Sequence, residues 1–211
     1  MKFLYDPPAA VKKIFPGLIW NSRTGKVLLT FDDGPLNSNT EAILAQLDRS
    51  GIRAVFFCVG NNIAKNPELA KEIISGGHMI GNHTYNHKVL FNIPSAEIEA
   101  EIQSFNRTYE EVLNAKCEYF RPPHGRFGHS LPGLLKKNNM TGVMWSLLTR
   151  DYKNSLNIVK FAVEKYLRRD SVIVLHDSLK SKDIIQDSIK FINDAVKKKD
   201  FEFGEPSECL K

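Results

Sequence analysis

Cysteine is scarce in this chain. Cys58, Cys117 and Cys209 are three in 211 residues, an odd number set far apart, which excludes a disulfide framework or a cysteine-ligated zinc site as the organising device. Cys58 falls inside the apolar run 54–59 and reads as a small buried hydrophobe. No apolar run is long enough to cross a bilayer. The first twenty residues mix Lys2, Asp6, Pro7, Pro8, Lys12 and Lys13 with apolar residues, so a signal-peptide core is missing as well. Cytoplasmic residence is the default expectation, with an export route left open. Low-complexity tracts, linkers and short repeats are also missing. The net charge of +5 and pI near 9.0 favour encounters with anionic polymers. Much of that excess sits in Lys197, Lys198, Lys199, Arg168 and Arg169, which read as solvated helix ends. Without an aromatic-interleaved basic stripe, no nucleic-acid partner is expected.

What is present is an ordinary globular composition, 42% hydrophobic and 25% charged, enough to bury a core in a single domain. We expect a lead-in segment at 1–25 and a catalytic domain at 26–211. Continuous apolar runs at 27–29 (extending to Asp32) and 55–59 predict buried strands. Shorter strands are predicted at 78–83, 119–121, 142–147, 171–175 and 201–203. Between them lie amphipathic segments. Ile43, Leu44 and Leu47 form one face, ended by Gly51, with Ser38 or Asn39 as the cap. Leu69, Ile73 and Ile74 point inward on a helix opened by Asn66 and Pro67 and stopped by Gly76 and Gly77. Ile98, Ile102, Phe105, Tyr109 and Val112 recur at steps of four and three, as do Ile185, Ile189, Ile192 and Val196. A short helix surrounds Leu134 and Leu135, and another covers 158–167. About seven alternations of strand and helix imply parallel strands with helices outside, in an open sheet or a barrel.

The chemistry-bearing residues stand just after these strands, the end at which α/β sheets and barrels place their sites. Asp32 and Asp33 end the first strand before a Gly34-Pro35 turn. Alternation along extended backbone predicts that they point in different directions, one suited to a metal and the other to a proton. The bland reading is an Asp-Gly turn with a capping Asp. His83 and His87 are four apart, close enough to share a metal, or else are two loop histidines. Arg121-Pro122-Pro123-His124-Gly125 is a stiff turn whose glycine allows close backbone approach. Arg150-Asp151-Tyr152 and His176-Asp177 end two later strands, where an ion pair and a rim histidine are the plainer readings.

All five stretches arrive in one order, and together they resemble the polysaccharide deacetylase family, carbohydrate esterase family 4. The matching motifs are Thr-Phe-Asp-Asp-Gly at 30–34, His-Thr-x-x-His at 83–87, Arg-Pro-Pro-x-Gly at 121–125, Arg-Asp-aromatic at 150–152 and Leu-His-Asp at 175–177. The resemblance covers nearly all of the chain from Lys26 onward. It implies a distorted (β/α) barrel of about seven parallel strands and one divalent metal, most often zinc, held by Asp33, His83 and His87. It further implies Asp32 as general base, braced by Arg121, and a backbone N–H at His124 supporting the oxyanion. His176 would be the general acid, kept cationic by Asp151. Pro123 and His124 would belong to the substrate-binding surface, and Tyr152 and Leu175 would line the pocket for an acetyl methyl. The implied substrate is an N-acetylglucosamine-containing oligo- or polysaccharide.

The chain departs from the family pattern at His124 (often Tyr), Leu148 (often Asp) and Tyr152 (often Trp). These alter the groove wall and bear on substrate rather than reaction, and His124 could also touch substrate or a second metal. Rival readings are the same chemistry on acetylxylan or a small acylated amine, and a carbohydrate-binding pseudoenzyme. Retention of both base and acid candidates argues against the last.

Overall fold

The computed structural model describes residues 5–211. The chain folds into one seven-stranded sheet, all of whose pairings are parallel. The strands are β1 (Leu28–Asp32), β2 (Ala54–Cys58), β3 (Met79–Asn82), β4 (Tyr119–Phe120), β5 (Thr141–Gly142), β6 (Leu147–Leu148) and β7 (Val172–His176), in the spatial order β5-β4-β3-β2-β1-β7-β6. The sheet curls into a half-barrel with helices outside, the distorted (β/α) barrel expected from the alternation. Nine α-helices are found among the described residues. They are α1 (Ala9–Ile14), α2 (Asn39–Ser50), α3 (Gly60–Lys65), α4 (Pro67–Ser75), α5 (Ser95–Leu113), α6 (Leu131–Lys137), α7 (Leu156–Tyr166), α8 (Ile185–Lys198) and α9 (Pro206–Cys209). Among these helices none is long and apolar enough to cross a membrane.

Period-two alternation sorts the strand side chains into two cores. Leu29, Phe31, Ala54, Phe56, Cys58, Ile173 and Leu175 face the helices, against Ile43 and Leu47 of α2, Ile102 and Phe105 of α5 and Ile185, Ile189 and Ile192 of α8. Leu28, Val55, Phe57 and Val172 face the inside of the curl, with Ile19, Tyr119, Val143, Cys209 and Leu210. Each fully buried large apolar side chain contributes about 1.5–3 kcal/mol, so this two-sided burial is what holds the strand ends in place. Cys58, Cys117 and Cys209 are all free and buried.

Several expectations are corrected. Residues 142–147 are not one strand: β5 and β6 lie at opposite edges of the sheet, and the chain between them crosses the open side of the curl. Within that crossing, Val143 still gives its N–H to the Phe120 carbonyl of β4 at 2.8 Å and forms a lone bridge with Ile19. A run of apolar residues is equally at home in a strand or in such a buried crossing. Ser38 makes no side-chain cap on α2, and the side chain of Asn39 is turned instead to Asp177. Ile74 is 39% exposed rather than inward. α3 is a helix that no apolar periodicity announces, and the expected strand at 201–203 contributes a single bridge, Val27 with Phe203. Leu18, Ile19 and Trp20, from the stretch read as a lead-in, are buried.

Candidate active site

The site is built at the carboxyl ends of β1, β3, β4, β6 and β7. β1 is central in the sheet, and its last residue, Asp32, lies beside Phe57 on one side and His176 on the other. Alternation would send the next carboxylate to the opposite face. Instead Asp33 adopts a φ of 81°, uncommon for a residue with a Cβ, and the chain leaves extended geometry there. The result corrects the expectation of divergent carboxylates: Asp32 Oδ2 lies 3.9 Å and Asp33 Oδ1 3.7 Å from the same atom, His83 Nε2.

His83 directly follows β3, its N–H bonded to the Cys58 carbonyl at 2.9 Å. Its Nδ1–H donates to the Arg121 carbonyl at 2.7 Å, which fixes the tautomer and leaves the Nε2 lone pair facing the carboxylates. Burial pushes this imidazole down to about 4, against the opposing pull of Asp32 and Asp33. It is therefore neutral near pH 7. Thr84 and His87 both have positive φ, so the loop coils tightly enough to return His87 Nε2 to 3.1 Å from Asp33 Oδ1. Asn82 accepts the Thr84 N–H, and the Glu101 carboxylate accepts the Asn86 N–H and amide. Burial alone would raise the Asp33 carboxyl, but the His87 hydrogen bond and the nearby histidines hold it well below the usual carboxylate range.

One donor atom from each of Asp33, His83 and His87 lies within 4.8 Å of the others. A neutral imidazole presenting its lone pair, a second imidazole and an ionised carboxylate make a donor set suited to zinc and similar divalent cations. The residues therefore fit the group that the family resemblance implies.

Arg121 follows β4 and is fully buried. Its guanidinium donates to Asp32 Oδ1 and Thr30 Oγ1, both at 2.7 Å, and to the carbonyls of Val143 at 3.1 Å and Met144 at 2.8 Å. Its carbon rests 4.0 Å above the Phe57 ring. A planar five-donor fork is the side chain that can satisfy a carboxylate and two crossing carbonyls at once. Only one oxygen of Asp32 is taken in this way, and the other faces His83.

On the β7 side, Asp151 is fully buried; both its oxygens accept from His176, and Oδ1 also takes the Thr149 hydroxyl at 3.0 Å. Oδ2 accepts the His176 N–H at 2.7 Å, and Oδ1 accepts His176 Nδ1–H at 2.8 Å. Burial would depress the imidazole, but Asp151, with Asp32 and Asp33 behind it, raises it to about 9. Asp151 thus favours the protonated form of His176, whose Nε2 edge is left for the cavity. The Tyr152 ring meets it edge-on at 5.1 Å.

A cavity of ≈ 350 Å³ joins the two sides, lined by Asp32, Asp33, His83, His87, His124 and His176, and walled by Trp145, Leu148, Tyr152 and Val174. Gly125 has a φ of 62°, and a Cβ there would collide with the Trp145 ring, so glycine is required where the turn meets the wall. The turn spends the N–H groups of Gly125 and Arg126 on the carbonyls of Pro122 and Pro123. His124 (φ 58°) swings its ring to 4.7 Å from that of His87, and burial moves its imidazole pKa down. Pro123 is buried beneath this turn, outside the lining. Leu175 is corrected too. It is fully buried among Phe31 and its neighbours on the helix side, and Val174 takes the wall position, because the residue two before His176 shares its face. That signal was available in the spacing. Trp145, Ser178 and Lys180 also line the cavity and had no motif to mark them.

Comparison with known proteins decides the family. The polysaccharide deacetylase family model matches residues 21–143, more than half of the chain. This chain belongs to the polysaccharide deacetylase family. Its relatives include a chitooligosaccharide deacetylase of Bradyrhizobium sp. (strain ANU 289), 30% identical over 74% of this chain and 72% of its own length. A solved peptidoglycan N-acetylglucosamine deacetylase superposes with a TM-score of 0.88 at 26% identity, covering 96% of both chains. Family membership does not guarantee turnover. A CE4 pseudoenzyme, solved as a mutant with restored enzymatic activity, superposes at 0.82 with 26% identity over 93% of this chain and 72% of its own. This chain spans about half the length of some curated relatives it matches.

Proposed function

We propose that this polysaccharide deacetylase family member is a metal-dependent hydrolase that removes N-acetyl groups from N-acetylglucosamine units of an oligo- or polysaccharide. The observation that carries the reading is a cavity with a three-donor cluster at its floor and two oppositely prepared proton carriers on its walls. Asp32 keeps one oxygen free, and Asp151 favours the protonated form of His176. A divalent cation held by Asp33, His83 and His87, zinc being the first choice, supplies Lewis acidity for polarising the acetamide carbonyl and acidifying a water.

The protein's own groups do the rest. Asp32 Oδ2 accepts the proton of the attacking water, while Arg121 keeps the carboxylate from rotating away. The His124 N–H donates to the oxygen on which negative charge develops. His176 Nε2–H protonates the departing amine, and Asp151 retains the resulting imidazole in the same orientation. Leu148, Tyr152 and Val174 offer an apolar wall for the acetyl methyl. The non-catalytic binder is disfavoured because a pure binder has no use for a carboxylate with one oxygen left toward the cavity opposite an imidazole braced by a buried carboxylate.

The deciding experiment is acetate release from acetylated chitooligosaccharides, measured as purified, after chelation and after zinc is returned. Activity is expected to vanish with the chelator and return with zinc. Acetate release unaffected by complete metal removal would end the metal-dependent reading.

A further inference from the structure

One buried carboxylate is unused by this chemistry. Asp177 is fully buried, and no cation stands within ion-pair reach of it among the described residues. A buried charge without a counter-charge is costly, and burial pushes its carboxyl up to about 6, against the hydrogen bonds of Thr40 and Asn39. Its surroundings account for its presence.

Every polar contact of Asp177 runs to the segment that begins with Asp32 and Asp33. Its N–H donates to the Asp32 carbonyl at 2.7 Å. Its Oδ1 accepts the Asn39 amide at 2.7 Å, and its Oδ2 accepts the Thr40 hydroxyl. The Thr40 hydroxyl in turn accepts the Leu36 N–H at 2.7 Å. Gly34 leaves room for this carboxylate, since a Cβ there would collide with Asp177 Oδ2. The opposite side of the same segment is strapped from α3 and its end: Asn62 donates to the Asp33 carbonyl at 2.7 Å and Asn66 to the Pro35 carbonyl at 3.2 Å. Asp33, like Ser38 a positive-φ residue, thus opens a loop clamped from both flanks. Asp177 is the β7 half of that clamp, one residue past His176.

We infer that Asp177 is a positioning residue that sets the loop from Asp33 to Thr40, so that the Asp33 carboxylate meets His83 and His87 in register with His176. The inference rests on the reading of Asp33 as a ligand. Its first test is therefore a binding measurement that needs no substrate. The apoprotein of wild type, Asp177→Asn, Thr40→Val and Thr40→Ser is titrated with zinc against a competing chelator, with circular dichroism and thermal melts on the same samples.

Asp177→Asn keeps the shape but places an amide against the Asn39 amide. Zinc affinity is expected to fall about 10–100-fold, the usual consequence of losing a group that orients a ligand. Thr40→Val is expected to lose less, and Thr40→Ser, which restores the hydroxyl, to recover most of that loss. Where an acetylated chitooligosaccharide is turned over, kcat is expected to fall with KM within about threefold, because the loop carries the ligand and not the sugar contacts. Zinc affinity within twofold of wild type in both Asp177→Asn and Thr40→Val, whatever happens to the melting temperature, overturns the inference and leaves Asp177 a stability device. If Asp177→Asn fails to fold, the Thr40 pair decides alone. A wild type that binds zinc but releases no acetate counts against the proposed reaction and leaves this test intact.

Discussion

Two buried carboxylate–cation pairs flank the cavity, and they are wired in opposite senses. In the Asp32–Arg121 pair the cation is fully buried and the carboxylate looks into the cavity, with one oxygen bonded at 2.7 Å and the other free. In the Asp151–His176 pair the carboxylate is fully buried, both its oxygens are spent, and the cation looks into the cavity. The hidden partner differs accordingly. Arg121 also ties Thr30, Val143 and Met144 into the barrel interior, whereas Asp151 serves His176 through both its ring and its N–H and has one further partner, the Thr149 hydroxyl at 3.0 Å. Chemistry at neutral pH needs a group that can accept a proton and a group that can donate one. Pairing each with a buried group of opposite charge is how a single cavity holds both.

The largest effect that separates the two pairs is on turnover. Asp32→Asn keeps the hydrogen bond from Arg121 but loses the proton-accepting oxygen, so kcat is expected to fall by about 10²–10⁴-fold, the range for a positioned general base. Zinc content is expected to be unchanged, because the cluster uses Asp33. Metal analysis beside acetate-release kinetics checks both. An asparagine variant that keeps turnover within a few-fold of wild type removes Asp32 from the role of base. His176→Ala is the matching break on the other side, with a loss of about 10²–10³-fold and metal retained. Loss of metal there would move His176 into the ligand set.

Next in size is the stability of the hidden cation. Arg121→Met leaves the Asp32 charge unpaired and the Val143 and Met144 carbonyls without donors, at a cost of about 3–5 kcal/mol. Urea unfolding of the metal-free protein measures it. A loss under about 1 kcal/mol would mean that the crossing segment and Asp32 hold themselves, and that the two pairs are less different than their geometry indicates.

Much of this was legible in the sequence, and the illegible remainder has a common cause. The 4-and-3 spacing of Ile98 to Val112 and of Ile185 to Val196 reports which face a helix buries, and α5 and α8 follow it. The five motifs at strand ends were likewise local, and the cavity gathers a residue from every one. What local reading missed was decided by distant partners. The 142–147 run became a crossing because β5 and β6 belong to opposite edges of the sheet. Asn39 was diverted from capping α2 by Asp177, far along the chain. Asp33 took a positive φ because Asn62, the Gly34–Val59 hydrogen bond and Asp177 shape its loop. Leu175 was placed on the wall by its motif, although its parity with His176 puts it on the other face.

The smallest expected effect bears most directly on the comparison, because it alters the hidden partner without touching the exposed one. Asp151→Asn keeps an oxygen able to accept from His176 Nδ1, removes the charge and turns an amide group toward the His176 N–H. His176 is raised to about 9 by Asp151 against burial, which alone would lower it. The protonated imidazole, which the proposed reaction needs as its acid, is therefore present below that value and lost as pH rises through it. With the charge gone, burial dominates, and the alkaline limb of kcat against pH is expected to move toward acid, while the loss at pH 6 stays near tenfold or less. A bound dication also opposes the raise, so the comparison is between variant and wild type loaded alike. Stability carries the same sign. A histidine raised from 6.5 to about 9 adds stability that is complete below pH 6.5 and lost as pH rises through 9. The melting-temperature gap between wild type and variant should therefore be widest below pH 6.5 and narrow by pH 10 to what the lost acceptor for the His176 N–H costs. A limb that stays put would mean that Asp151 acts on His176 through the backbone N–H alone, as a brace rather than a counter-charge.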